Sequence, residues 1–331
     1  MKRQHPVCND IYGLFVTGFD GYDLPDDTAS LLARGLAGVT LFKRNIKDSA
    51  QVATLCRDIR SAAAPTGLVP IIAVDQEGGR VQRLRDIITL VPPMRQVAAG
   101  GMDGVRQAGI STGHDLASLG FNLDFAPVLD VDSNPGNPII GDRSFSSDPE
   151  VVSRCAVAFY EGLLSAGVAG CGKHFPGHGD ASADSHLELP EINVNRKTIE
   201  SRELLPFAAA VASGFGMIMT AHCLYPSVDP LLPATLSPQF IRPYLRDRLG
   251  FEGVVITDDL GMKAISDRFS PAQVITLGLE AGVDIFLHCG ISGESQGLMQ
   301  VFEDIVNSGV VGLDRIRESS GRIKSFQANL R

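Results

Sequence analysis

Short runs of aliphatic and β-branched residues recur eight times along the 331-residue chain, near 12–16, 38–42, 70–74, 122–126, 168–172, 217–220, 253–257 and 284–287. Each is followed by a cluster of Gly, Pro or Asp and then by a stretch whose apolar residues fall at helical spacing. The helical patterns include 49–63, 105–119, 149–166, 197–213, 238–249 and 271–281, several opened by a Ser or Asp cap or by a first-turn Pro. A run such as Val254-Val255-Ile256 shows no polar alternation, as a parallel strand covered by helices requires. Eight βα units in series, without a linker, low-complexity tract or charge block, predict an α/β protein. Its expected form is a single (β/α)8 TIM-type barrel over 1–331, with a C-terminal helix near 313–327. The alternative is an open doubly wound sheet, whose usual marks, a first-turn GxGxxG or a GxxxxGKS/T loop, are missing.

Composition narrows the partners. Lys plus Arg is 29 and Asp plus Glu is 38, a formal net charge of −9, and such a field repels phosphate backbones and anionic membrane surfaces. Nucleic acid and membrane are therefore not expected as partners. The hydrophobic fraction of 44% excludes a disordered chain, and nowhere do about 18 apolar residues run together as a spanning helix needs. Six cysteines, Cys8, Cys56, Cys155, Cys171, Cys223 and Cys289, lie far apart with no CxxC pair and read as free thiols of a reducing compartment. The basic start Met1-Lys2-Arg3 leads into an apolar stretch that Gly and Thr interrupt and Asp10 and Asp20 bracket, which is not the pattern of a secretory signal. The expectation is a cytoplasmic monomer.

A barrel places its functional groups just after the strands, where the βα loops gather. Polar residues do follow the strand-like runs. After the third come Asp75, Glu77, Arg80 and Arg83; a long loop after the fourth carries Asp130, Asp132, Asp142 and Arg143. The fifth leads into Lys173-His174-Phe175-Pro176-Gly177-His178-Gly179-Asp180 and then Asp184-Ser185-His186, the sixth into His222, and the seventh into Asp258-Asp259. Hydrolysis of a glycosidic bond needs a carboxylate to meet the developing oxocarbenium ion, an acid for the leaving oxygen, and donors for sugar hydroxyls. Asp258 or Asp259 suits the first role. Asp184 and His186 are two apart, so in an extended segment both side chains point one way and the carboxylate can hold the imidazole as an acid/base. Arg83, Arg143 and Lys173 are candidate donors to substrate oxygens, and Asp75 a candidate acceptor. His174, His178 and His186 also raise a metal reading, but an i, i+4 pair of ligands needs a helix and Phe175-Pro176-Gly177 forbids one there. No metal and no cofactor is expected. The Gly, Ala and Ser rich stretch 177–185 is expected to be a mobile loop that closes over substrate.

At these residues the chain resembles glycoside hydrolase family 3, specifically its bacterial β-N-acetylglucosaminidases. KHFPGHGDASADSHLELP at 173–190 is similar to that subfamily's signature, whose Asp184-Ser185-His186 element separates it from the family's β-glucosidases. VDQEGGRVQR at 74–83, GDRSF at 141–145, RELLPF at 202–207, PATLS at 233–237 and VITDDLGM at 255–262 agree with it. The resemblance implies a retaining mechanism with Asp258 as nucleophile and His186, oriented by Asp184, as acid/base. It implies further that Asp75, Arg83, Arg143, Lys173 and His174 hold a terminal N-acetylglucosamine, and that the substrate is a peptidoglycan-derived muropeptide. A β-glucosidase or a glycosyl phosphorylase on the same barrel is the alternative, since an imidazole base does not repel an incoming phosphate. A sugar-binding protein without catalysis is disfavoured by the joint presence of all these groups.

Overall fold

The computed structural model describes residues 11–290 and 292–331; the basic start and Cys8 lie outside the described residues. Eight parallel strands form the centre: β1 (Phe15–Thr17), β2 (Gly38–Leu41), β3 (Ile71–Val74), β4 (Leu123–Asp124), β5 (Ala169–Phe175), β6 (Met217–Thr220), β7 (Val254–Ile256) and β8 (Phe286–His288). Each pairs with its neighbour in sequence, and β8 pairs back onto β1 with Phe15 opposite Phe286. The remaining seam closes through a parallel bridge between Ile256 and Ile285, with the Asp284 amide donating to the Val255 carbonyl at 2.8 Å. The expected barrel is therefore the observed one.

The strands are short and, apart from the half-buried end residues Ala169 and His288, buried, which is why they read as unbroken apolar runs; Val254, Val255 and Ile256 are all fully covered. Amphipathic helices surround them. In the helix Ser49–Ala63 the buried residues are Val52, Leu55, Cys56, Ile59 and Ala63, one face of a 3.6-residue repeat, and the Asp48 carboxylate caps its start by accepting from the Gln51 amide at 2.9 Å. Helices Met102–Leu119 and Pro149–Ser165 approach each other closely enough that a Cβ at Gly109 would stand 2.2 Å from the Phe159 carbonyl. The helices Asp26–Ala33 and Ser292–Ser308 complete the ring after β1 and β8.

Two expected helices differ from their pattern. The stretch 197–213 opens on an α-helical turn, Arg196–Thr198, widens over Ile199–Glu203 and returns to α-helix over Leu204–Ala212. Pro206 has no amide hydrogen for the Arg202 carbonyl, and the chain widens to compensate. Likewise 238–249 is helical only over Ile241–Arg248, wound wide around Pro243, with the Leu249 amide reaching back five residues to Tyr244.

The C-terminal helix Leu313–Ala328 covers the end of the barrel opposite the functional loops. It is held by Asp284, whose fully buried carboxylate accepts from Arg246, Arg315, Arg322 and Ser319. Gln327 donates to the Ala37 carbonyl at 3.0 Å.

Candidate active site

One cavity opens at the C-terminal ends of the strands, and Asp75, Arg83, Arg143, Lys173, His174, His186 and Asp258 all line it. Asp184 joins them through its bond to His186. Four βα segments, those of β3, β4, β5 and β7, thus deliver the residues expected from the sequence to one place.

The floor is a buried ion-pair network. Lys173, at the end of β5, places its ammonium 2.8 Å from Asp75 and 2.6 Å from Glu77. Arg143 grips Glu77 with both arms of its guanidinium, Nε to Oε2 and Nη2 to Oε1, each at 2.8 Å. Burial works to neutralise Glu77, yet Arg143 and then Lys173 outweigh it and hold the carboxyl far below the usual range. Lys173 and Arg143 in turn stay protonated well beyond neutral pH. Glu77 is two residues beyond Asp75, and that same-side spacing is the signal that would have assigned it to this floor. Much of the donor capacity expected for substrate is committed here. Arg143 also reaches the Ile139 carbonyl, whereas Arg83 stands over the Phe42 ring, makes a long 3.4 Å contact to Asp75, and among the described residues has no hydrogen-bond partner for its Nε.

A second network fixes the histidines. The fully buried Asp130 accepts from His174 Nδ1 at 2.6 Å and from the amides of His174 and His178 at 3.2 and 2.7 Å. Its carboxyl is lowered in spite of burial, chiefly by facing His174. The other loop acids play no such part: Asp132 pairs with Arg95 at 2.7 Å and Asp142 is exposed. The rings of His174 and His178 meet edge to face at 5.8 Å, each with a partner of its own. Among the described residues no three His, Cys, Asp or Glu side chains gather so as to hold a metal ion.

The two adjacent acids after β7 are distinguished by their hydrogen bonds. Asp259 Oδ1 accepts from the Gly261 and Cys289 amides at 3.0 and 2.9 Å, and its carbonyl accepts from His222 Nε2 at 3.1 Å. That carboxylate pins two loops together. Asp258 is half-buried in the cavity, and among the described residues its side chain accepts only from the Asp259 amide, at 2.8 Å. Burial opposes its ionisation, but His174, His222, that amide and Lys173 prevail, so it lies below the ordinary carboxylate range. An ionised carboxylate with an uncommitted oxygen facing a cavity is equipped to attack or to stabilise a cation.

The pair Asp184 and His186 forms, but not by the expected route. The segment is a turn rather than an extended strand: the Leu187 and Glu188 amides donate to the Asp184 carbonyl at 2.9 and 3.0 Å. Asp184 Oδ1 accepts from the His186 amide at 2.8 Å and stands 2.9 Å from His186 Nδ1, so one oxygen both builds the turn and holds the ring. Alternation along a strand is unnecessary, because an Asp side chain reaches the amide two residues on. Nε2 is left for the cavity, and the His186 side chain is 65% exposed at its mouth.

The expectation of a mobile loop over 177–185 also needs correction. Its first half is anchored: Asn137 donates to the His178 and Gly179 carbonyls at 2.8 and 3.0 Å, Tyr225 donates to the Gly177 carbonyl, and a Cβ at Gly179 would lie 1.7 Å from the Val131 carbonyl. Glycine here permits close packing rather than freedom. The exposed residues of 177–189 are Ser182, His186, Leu187 and Glu188, with Leu187 standing 67% in solvent.

Residues 19–326 match the model of the glycosyl hydrolase family 3 N-terminal domain. The chain is 41% identical over 285 residues to beta-hexosaminidase A of Pseudoalteromonas piscicida, covering 80% of this chain and 48% of that protein. It is 41% identical over 281 residues to the beta-hexosaminidase of Thiobacillus denitrificans, covering 81% of this chain and 76% of that one. A solved glycoside hydrolase family 3 β-N-acetylglucosaminidase from Paenibacillus sp. str. FPU-7 superposes with a TM-score of 0.94 at 38% identity, over 98% of this chain and 63% of that one. The chain thus spans about half of one of these relatives and under two thirds of another. A barrel matched almost end to end, with the site's loops inside the matched region, places this chain in glycosyl hydrolase family 3, within its N-terminal domain.

Proposed function

We propose that this barrel is a retaining exo-β-N-acetylglucosaminidase that removes terminal, non-reducing N-acetylglucosamine from peptidoglycan fragments. What carries the reading is the coexistence in one cavity of an ionised, uncommitted Asp258 and an imidazole whose far nitrogen is held by Asp184. The names of the relatives, beta-hexosaminidase and β-N-acetylglucosaminidase, support the activity.

In the first step Asp258 attacks the anomeric carbon. His186, as imidazolium, gives its Nε2 proton to the leaving oxygen, and a glycosyl ester on Asp258 results. Asp184 stabilises the charged ring through Nδ1. The aglycone departs from the mouth where His186 is exposed. The neutral imidazole then takes a proton from water, which attacks the same carbon and releases the sugar and Asp258. Asp75, Arg83 and His174, with Lys173 and Arg143 behind them, hold the sugar against this pair, and the floor stays rigid because Lys173 and Arg143 are balanced by Glu77 and Asp75.

The test is a leaving-group series. His186→Ala is expected to lose roughly 100-fold or more on a disaccharide carrying 1,6-anhydro-N-acetylmuramic acid, and far less in the first turnover of a dinitrophenyl glycoside, which departs without protonation. A burst of dinitrophenol should then precede a slow steady state, because water still needs a base. Asp184→Asn should show the same pattern more mildly. Equal losses for every leaving group would remove the acid/base role from this pair, and wild-type inactivity on the disaccharide alone would remove the peptidoglycan substrate.

A further inference from the structure

Within the turn that carries the acid/base pair, one side chain faces inward. Ser182, His186, Leu187 and Glu188 are exposed and Asp184 is half-buried, whereas Ser185 is 2% exposed. Its hydroxyl lies 3.0 Å from Nε2 of His178, a ring that is itself 1% exposed. His178 cannot drift, because its amide donates to Asp130 at 2.7 Å and its carbonyl accepts from Asn137 at 2.8 Å. A second tie runs sideways, from the Ala264 amide to the Ser185 carbonyl at 3.4 Å, and joins the turn to the segment that follows Asp258.

We infer that His178 is a positioning residue: through the Ser185 hydroxyl it seats the Asp184–His186 turn at the cavity mouth and so sets where the acid/base nitrogen stands. The inference rests on the assignment of His186 as acid/base. Its direction follows from chemistry. Nδ1 of His178 is buried and has no hydrogen-bond partner among the described residues, and a bare ring nitrogen there costs less than an unpaired N–H, so the proton belongs on Nε2, which donates to Ser185. Burial first, and facing His174 second, push His178 down to about 4, so the ring stays neutral and the contact persists through neutral pH. A buried neutral histidine one turn of chain away from the acid/base is poorly suited to acid/base work itself. It is well suited to hold an exposed turn by its single inward side chain.

Three variants test this. Ser185→Ala deletes the acceptor, His178→Phe keeps a packed ring without the donor, and Ser185→Thr keeps the hydroxyl. The first two are expected to lower kcat/KM roughly 10- to 100-fold on a methyl or disaccharide glycoside of N-acetylglucosamine. The dinitrophenyl burst should fall by less than about threefold, and Ser185→Thr should stay within about threefold of wild type on both. In a His186→Ala background, Ser185→Ala should add nothing further, since a residue acting through His186 has nothing left to position. The inference is overturned if Ser185→Ala costs nothing, if losses are equal for all leaving groups, or if they persist in full when His186 is already absent. Should His178→Phe fail to fold by circular dichroism, the Ser185 pair decides alone. A wild-type chain that cleaves none of these glycosides overturns the acid/base assignment and this inference together.

Discussion

Asp258 and Asp259 are the same residue type in adjacent positions, and only their partners separate them. Asp259 spends its carboxylate on two backbone amides, whereas Asp258 keeps an oxygen for the cavity. Asp258→Asn is accordingly expected to reduce turnover by roughly 1,000-fold or more with little change in melting temperature. Asp259→Ala strands the Gly261 and Cys289 amides and should cost about 1 to 2 kcal/mol of stability with a partial loss of rate. Kinetics and thermal melts on the two variants decide the matter, and an active Asp258→Asn enzyme beside a dead Asp259→Ala one would reverse the assignment. The sequence alone could name the pair, because both follow a strand-like run. It could not choose between them, since alternation along a strand merely says that they face opposite ways.

The loop after β5 shows how an element acquires order that its composition conceals. Gly177, Gly179, Ala181 and Ser185 suggest freedom, yet the backbone of 177–181 is clasped by Asn137, Tyr225 and Asp130. Gly179→Ala should therefore cost about 2 to 4 kcal/mol and most of the activity, because the new methyl meets a backbone carbonyl that has nowhere to go. Beneath the loop lies Glu203, from the RELLPF motif; Arg202 bonds both Glu203 and Asp180 of the loop, and Glu203 Oε2 is buried beside Gly177 with no hydrogen-bond partner among the described residues. Burial, against the pull of Arg202, pushes Glu203 up to about 7. The unfolded chain then releases this proton before the folded one does, so the contribution of Glu203 to stability is fully present below pH 4.5 and is lost as the pH rises to about 7. In urea titrations across that window, Glu203→Gln should flatten the dependence by about 1 to 3 kcal/mol; an unchanged slope would show that Glu203 does not titrate there. None of this was legible beforehand, since these partners of 177–181 come from stretches 22 to 48 residues away.

At the scale of the molecule the two ends of the barrel are specialised. One end gathers the reacting groups, and the other carries Asp284, which ties three arginines from two helices to the β7–β8 seam. Asp284→Ala leaves those guanidiniums facing one another without their shared anion and should cost about 3 kcal/mol or more by chemical denaturation, while surviving enzyme keeps its KM. Arg317→Ala, on an exposed pair of the same helix, should change stability by less than about 0.5 kcal/mol. Activity is expected to survive exhaustive chelation, because the candidate histidines are committed to Asp130, Ser185 and Asp184 rather than converging. Loss with EDTA and recovery with zinc would contradict this.

What the sequence determined by itself was the barrel and the set of loops that carry chemistry. Strand runs, caps and helical repeats are local signals, and a βα series has few ways to close. Even the Asp184–His186 pair is local, since an Asp side chain reaches the amide two residues away. Three features were decided only in the tertiary structure: which of two neighbouring acids is free, how Lys173 and Arg143 divide their charge over Asp75 and Glu77, and what pins the dyad turn. Each is a matter of who occupies the last lone pair or N–H of a buried group. That is settled by partners brought together from distant loops, and no spacing along the chain records it.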